Sequence, residues 1–299
     1  MPGEQMIEAN GIELCYETFG DPSGEPLLLV MGLGAQMIAW PVELCDALVD
    51  RGFHVIRYDN RDVGRSTKIA DVGGDFMSAF AAAAQGEPVE VAYRLSDMAA
   101  DAVGLLDALG IDSAHVVGAS MGGMIAQAIA IEHPGHVRTL TSIMSTTGEP
   151  EVGQPTPEAM QMLLRPAPTT REEAIEASLA SWKVIGGPEH FDEERVRAQA
   201  AAAYDRCFNP AGTARQLLAI VASGSRADGL RGLDVPTLVI HGAIDPLVTP
   251  SGGRRTAELV PGAELLMLPT MGHDLPLAVL PQVVDAITAL AARSAASAA

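Results

Sequence analysis

Basic residues are scarce in this chain. Nineteen lysines and arginines stand against 38 aspartates and glutamates, for a formal net charge of −19. A nucleic-acid binder needs a basic patch for the phosphate backbone, so this balance predicts no nucleic-acid partner and no attraction to an anionic membrane surface. Its ordinary consequence is solubility through self-repulsion. Cysteine is sparse too. Cys15, Cys45 and Cys207 are odd in number, far apart and form no CxxC pair. Neither a zinc site nor a disulfide framework is indicated, and free thiols in a reducing compartment are expected. No run reads as the ~18 to 20 apolar residues of a spanning helix. The opening Met1-Pro2-Gly3-Glu4-Gln5 has neither the basic start nor the apolar stretch of a signal peptide. A soluble, cytoplasmic protein with no stable membrane insertion is expected. No internal repeat is visible.

What the chain does have is apolar material. Hydrophobic residues make up 48% of its 299 positions and charged residues 19%, enough for a large α/β domain with an inserted subdomain. Strands are expected at 12–19, 27–31, 54–58, 114–119, 139–144, 237–241 and 263–268. Several are continuous apolar runs, such as Leu27-Leu28-Leu29-Val30, which suit strands buried on both faces of a parallel sheet. The first alternates more and reads as an antiparallel edge. Helices are expected at 41–51, 97–109, 121–132 and 281–292, with Ser96 or Asp97 as a cap and Gly110 as a stop. This alternation predicts a mostly parallel sheet flanked by helices. It fails between 145 and 232, where prolines punctuate helical stretches at 172–185 and 192–204. A structureless loop of that size would be anomalous. The expected organisation is therefore a core of 1–144 and 233–292, a helical cap or lid at 145–232, and a disordered tail at 293–299. The segment 71–91 reads as a smaller insertion of undefined structure.

The strongest chemical signal is Gly118-Ala119-Ser120-Met121-Gly122-Gly123, between the apolar strand His115-Val116-Val117 and the helical Met124-Ile125-Ala126-Gln127. By itself G-x-S-x-G is weak, because glycine is common here. In a strand-to-helix context it reads as a nucleophile elbow: the turn strains Ser120 and lifts its hydroxyl above the sheet, while the glycines let the helix pass close by. An ordinary Gly-rich turn is the alternative.

A serine hydroxyl needs a base and an orienting acid, and after such an elbow they follow in the order acid, then histidine. Seven histidines compete. His54, His115 and His241 fall in apolar strand runs, His133 and His136 flank a helix end, and His190 lies in the cap. His273, in Met271-Gly272-His273-Asp274 after the last expected strand, should sit at the carboxyl edge of the sheet, where sites in open α/β sheets form. It is the expected general base. Asp245 follows the strand Thr237-Leu238-Val239-Ile240-His241 and is the expected acid, with a turn or cap role before Pro246 as the alternative. Asp274 should point elsewhere, and Asp228 and Asp234 fall at the wrong edge. Two backbone N–H groups must hold the developing oxyanion. Met121, directly after the nucleophile, should supply one; Leu33, in Gly32-Leu33-Gly34-Ala35, the other. The turn Asp59-Asn60-Arg61-Asp62-Val63-Gly64-Arg65-Ser66 reads as structural. Met31, Met37, Met121 and Met124 read as core before substrate wall.

Taken together, these residues resemble the α/β-hydrolase superfamily along nearly the whole chain. The likeness is nearest to bacterial carboxylesterases of the aclacinomycin-methylesterase type and to related mycobacterial esterases. It rests on Val30-Met31-Gly32, Val55-Ile56-Arg57-Tyr58-Asp59, the elbow and Gly272-His273. The resemblance implies a Ser120–Asp245–His273 triad, an oxyanion hole of Leu33 and Met121, and no metal or organic cofactor. It implies hydrolysis of small-to-medium carboxylic esters through an acyl-Ser120 intermediate. Many relatives carry His-Gly where this chain has Met31-Gly32, which removes a side-chain hydrogen bond but not the backbone donor. The His-Gly-Gly-Gly loop of another esterase branch is absent. Thioesterase, lactonase, carbon–carbon bond hydrolase and cofactor-free perhydrolase remain alternatives on the same triad, and a non-catalytic ligand receptor is the rival of another class. The expected partner is a small-molecule ester. The oligomeric state is left open, a homodimer included.

Overall fold

The computed structural model describes residues 3–70 and 76–298. In it lie β1 (Gln5–Ala9), β2 (Ile12–Phe19), β3 (Glu25–Val30), β4 (Phe53–Tyr58), β5 (Ala114–Ala119), β6 (Val137–Ile143), β7 (Thr237–Gly242) and β8 (Glu264–Leu268). They form one sheet in the order β1-β2-β4-β3-β5-β6-β7-β8. The first two are antiparallel to their neighbours and all others run parallel. All seven expected strands are present, with ends shifted by a residue or two.

The sequence reading missed β1. It returns to β2 through Asn10-Gly11, both at positive φ (50° and 76°). Such a two-residue primed turn matches the twist of the flanking strands, and Asn-Gly is its strongest sequence signal.

Period-two alternation explains why the central strands are apolar throughout. Leu28 and Val30 join one hydrophobic cluster while Leu27 and Leu29 join another on the opposite face. The helices α1 (Val42–Val49), α2 (Phe76–Ala84), α3 (Leu95–Ala108) and α4 (Met121–Glu132) precede the segment between β6 and β7. α3 and α4 pack on the Leu28/Val30 face, and α1 on the other. Asp97 is not the cap of α3 but its third residue, where its carboxylate accepts the Arg94 N–H at 2.7 Å. Of the expected insertion at 71–91, residues 71–75 lie outside the described residues and α2 occupies part of the rest.

Between β6 and β7 run α5 (Pro157–Leu163), α6 (Arg171–Ile185), α7 (Glu193–Arg206), α8 (Pro210–Ser223) and α9 (Ala227–Arg231), with no strand among them. The last two are not detached from the core: Ala219, Ala227 and Leu230 join the cluster beneath α3 and α4.

After α10 (Ser251–Leu259) and β8 comes α11 (Leu280–Ala298), which continues past 292 through most of the stretch expected as a disordered tail. Its final turns are rich in alanine, the best helix former. The segment Leu277–Ser294 also has a mean hydropathy of 1.3 over 18 residues, so among the described residues one helix does meet the length and composition of a membrane span, contrary to the sequence reading. Its stripe Val283, Val284, Ile287 and Leu290 is buried against the Leu27/Leu29 face, which accounts for its apolarity as core.

Candidate active site

β3 leads to α1 on one face of the sheet, while the adjacent β5 leads to α4 on the other. Between two neighbouring parallel strands whose exits diverge, a crevice opens at the carboxyl edge. The loops after β3 and β5 meet there: a Cβ placed on Gly32 would lie 3.1 Å from the Ser120 Cβ.

Ser120 joins β5 to α4 with φ 57° and ψ −121°, a conformation a non-glycine residue holds only under constraint. The constraints are visible. Ser120 N–H donates to Ile143 O at 2.9 Å, and Ser145 Oγ donates to Ser120 O at 2.8 Å. The glycines serve close approach rather than turn geometry. A Cβ on Gly118 would fall 2.0 Å from Gly122 O, and one on Gly122 would fall 2.0 Å from Val30 O. No side chain fits at either place.

His273 and Asp245 arrive from loops after β8 and β7. Ser120 Oγ lies 2.9 Å from His273 Nε2, and His273 Nδ1 lies 2.7 Å from Asp245 Oδ2. The carboxylate fixes the ring with its proton on Nδ1, which leaves Nε2 to accept the serine proton. Asp245 is 2% exposed. Its Oδ1 accepts the N–H groups of Leu247 and Val248, each at 2.9 Å. Burial pushes its pKa up, but the His273 and His241 rings beside it outweigh burial and hold the carboxyl below its ordinary value. His241 was expected only as a strand residue. Its Nε2 donates to Val248 O at 2.8 Å and stands 3.5 Å from Asp245 Oδ2, so it backs the acid. Nothing in the sequence marks that role except the spacing of four from Asp245.

The loop of His273 is stitched to the helical insertion. His273 N–H donates to Ile185 O at 2.7 Å, and His190 Nε2 meets Thr270 Oγ1 at 2.9 Å. Asp274 does point elsewhere, and usefully: it accepts the N–H groups of Gly272 (2.9 Å) and Gly187 (3.0 Å). Burial nonetheless raises its pKa.

Among the described residues, no acceptor takes the N–H of Leu33 or of Met121. Met121 is the first residue of α4, where N–H groups have no partner within the helix. Both donors lie on the two segments that meet at Ser120.

The other histidines stand apart from this group. His115 bonds Thr139 at 2.9 Å inside the sheet, and burial lowers its pKa to about 4. His54 is buried in β4, and His136 meets Asp107 at 3.2 Å at the surface. The turn after β4 is structural, as its sequence suggested. Asp59 Oδ1 accepts Met37 N–H and its Oδ2 accepts Arg65 N–H, each at 2.8 Å, while Arg61 pairs with both oxygens of Asp101 at 2.6 Å.

A cavity of about 480 Å³ opens over Ser120 and His273. Its walls are mainly apolar, with Trp40, Met162, Leu163, Trp182, Val196 and Leu277 prominent. Of the four methionines weighed from the sequence, Met31 lines it, while Met37, Met121 and Met124 are buried core. Met144 and Met162, not singled out by the sequence, line it instead. Among the described residues no group of three metal-ligating side chains comes together.

Known proteins share this fold. A family model described as the alpha/beta hydrolase fold matches residues 25–277. Rhodomycin D methylesterase DnrP of Streptomyces peucetius is 33% identical over 308 residues, which covers 95% of this chain and 97% of that protein. Rhodomycin D methylesterase DauP of Streptomyces sp. (strain C5) is 33% identical with the same coverage. Among solved structures, the meta-cleavage product hydrolase CumD of Pseudomonas fluorescens IP01 superposes with a TM-score of 0.76 at 20% identity, over 96% of each chain.

Proposed function

Because this chain belongs to the α/β-hydrolase family, we propose that it is a serine carboxylesterase that transfers an acyl group from an ester to Ser120 and then to water. The observation that carries this reading is the hydrogen-bonded line from Ser120 through His273 to Asp245, opening on an apolar cavity. Two full-length relatives that are methylesterases support esters over other acyl donors.

His273 Nε2 takes the Ser120 proton as Oγ attacks the ester carbonyl. The N–H groups of Leu33 and Met121 receive the oxyanion. Asp245 stabilises the imidazolium, which protonates the leaving alcohol as the C–O bond breaks. A water, deprotonated by His273, then attacks the acyl-Ser120, and the proton returns to Oγ as the acid leaves. The cavity's volume and walls favour an ester whose larger half is apolar, and the relatives' activity favours a small leaving alcohol. The step needs no cofactor. Unbridged thiols at Cys15, Cys45 and Cys207 support the reducing, cytoplasmic setting read from the sequence.

A fluorophosphonate probe should label Ser120, and methyl and p-nitrophenyl esters should be hydrolysed. Ser120→Ala should lose both, with turnover falling on the order of a millionfold. Hydrolysis by Ser120→Ala near the wild-type rate would sink the assignment. A thioester or lactone preferred over every ester by orders of magnitude would move the activity elsewhere on the same triad.

A further inference from the structure

The oxyanion donor Leu33 sits in a short loop with little support of its own: its one internal backbone bond, Ala35 N–H to Gly32 O, is 3.3 Å long. The loop is held from outside at two points that flank Leu33. On one side Asn60 Nδ2 donates to Met31 O at 2.9 Å. On the other, Gly34 N–H donates to Oε1 of Gln216 at 2.8 Å. Gln216 is on α8, 182 residues away in the helical segment between β6 and β7, and its side chain is fully buried. Its Nε2 donates in turn to Arg61 O at 2.9 Å. A glutamine that must accept from Gly34 and donate to Arg61 has only one usable orientation of its amide.

The helix that carries Gln216 is itself locked down. Asn209 Nδ2 donates to Asp62 O at 2.8 Å, and Arg215 grips both oxygens of Asp62 at 2.8 and 2.9 Å. Thr213, one turn before Gln216, packs against Gly34. Arg61 is fixed by Asp101. Gln216 therefore links Gly34 of this loop to Arg61, from a helix that is itself bonded to Asp62.

We propose that Gln216 is a positioning residue for the oxyanion hole, clamping Gly34 so that the Leu33 N–H meets the transition state. This rests on the esterase reading above. It makes α8 part of the catalytic frame rather than of a mobile cover. Oxyanion donors act only where charge develops, so a misplaced one slows chemistry without weakening substrate binding.

The test is Gln216→Met, which keeps length and apolar packing but removes both bonds. Protein would be normalised by circular dichroism to its folded fraction. The expected result is a fall in kcat of roughly 10- to 100-fold, with KM within about threefold, and a parallel fall in the rate of phosphonylation of Ser120. Phosphonylation uses the same oxyanion donors but no substrate pocket. Where Gln216→Met does not accumulate folded, Gln216→Glu replaces it. That variant retains an acceptor for Gly34 and loses the donor to Arg61, so a smaller fall in the same two rates is expected. A folded variant with wild-type kcat and phosphonylation rate, or with a loss confined to KM, overturns the proposal. Wild-type protein that neither labels nor hydrolyses esters would instead overturn the esterase reading.

Discussion

Asp245 shows how much a single side chain can be asked to do. Four groups converge on one carboxylate: two backbone N–H groups, the His273 imidazole and His241. Asp245→Asn can keep the shape but presents an amide where the ring needs an anion, so the wrong tautomer is favoured. A kcat loss on the order of 10⁴ is expected in steady-state assays. The same carboxyl titrates lower in the folded protein than in the unfolded chain. Its contribution to stability is then present above its unfolded value of about 3.9 and lost as pH falls through the folded value. In urea unfolding series, the stability gap between wild type and Asp245→Asn should be open at neutral pH, begin to narrow below about pH 3.9 and close below the folded value; a gap that widens in acid would contradict it. A quieter residue tests the core. Thr141 on β6 is fully buried and its hydroxyl has no partner among the described residues. Thr141→Val removes an unsatisfied group at nearly constant volume. It should stabilise the protein by about 1 kcal/mol, seen as a higher Tm with esterase activity unchanged.

At the scale of elements, the site is an agreement between loops that the sheet edge brings together and helices that hold them there. α7 illustrates the cost of breaking such a hold. Its last residue, Arg206, reaches the turn after β4 and pairs with the wholly buried Asp59 at 2.6 Å, and with Glu4 at 2.8 Å. Asp59 in turn holds Met37, at the far end of the loop after β3. Arg206→Ala would leave a buried carboxylate without its counterion, a loss of about 3–5 kcal/mol. Guanidinium unfolding should show it as a lower midpoint with little change in slope. Arg206 is one of several ties between the helical insertion and the core, with α8 on Asp62 and the Ile185–His190 stretch beside His273 among the others.

At the scale of the whole molecule, a formal net charge of −19 accompanies an apolar cavity. Its field enriches cations at the surface and repels anions. Raising salt from about 0.01 M to about 1 M shortens the screening length from ~30 Å to ~3 Å. The kcat/KM for an ester bearing a quaternary ammonium should therefore fall several-fold over that range, and that for an ester bearing a carboxylate should rise. Parallel slopes for the two substrates would show that the charge serves solubility alone.

The sequence by itself determined seven of the eight strands, the elbow and the order of chemical groups along the chain. Local physics suffices for these. Apolar runs are long enough to be buried on both faces, and a serine between glycines after such a run has few other uses. Ser120, Asp245 and His273 were legible because each ends or follows a strand and so shares the carboxyl edge. The hairpin strand β1 was legible in Asn10-Gly11 and passed over, and the true extent of α11 was hidden in an alanine-rich tail that reads equally as coil. Only the tertiary structure decided which methionines wall the cavity, that His241 backs the acid, that Asp274 fastens the histidine loop to the insertion, and that Gln216 reaches across 182 residues to Gly34. Those contacts join segments with no local pattern in common. A buried glutamine on a helix face carries no periodic signal of its partner, because what selects it is the unsatisfied N–H and carbonyl that packing happens to leave on either side.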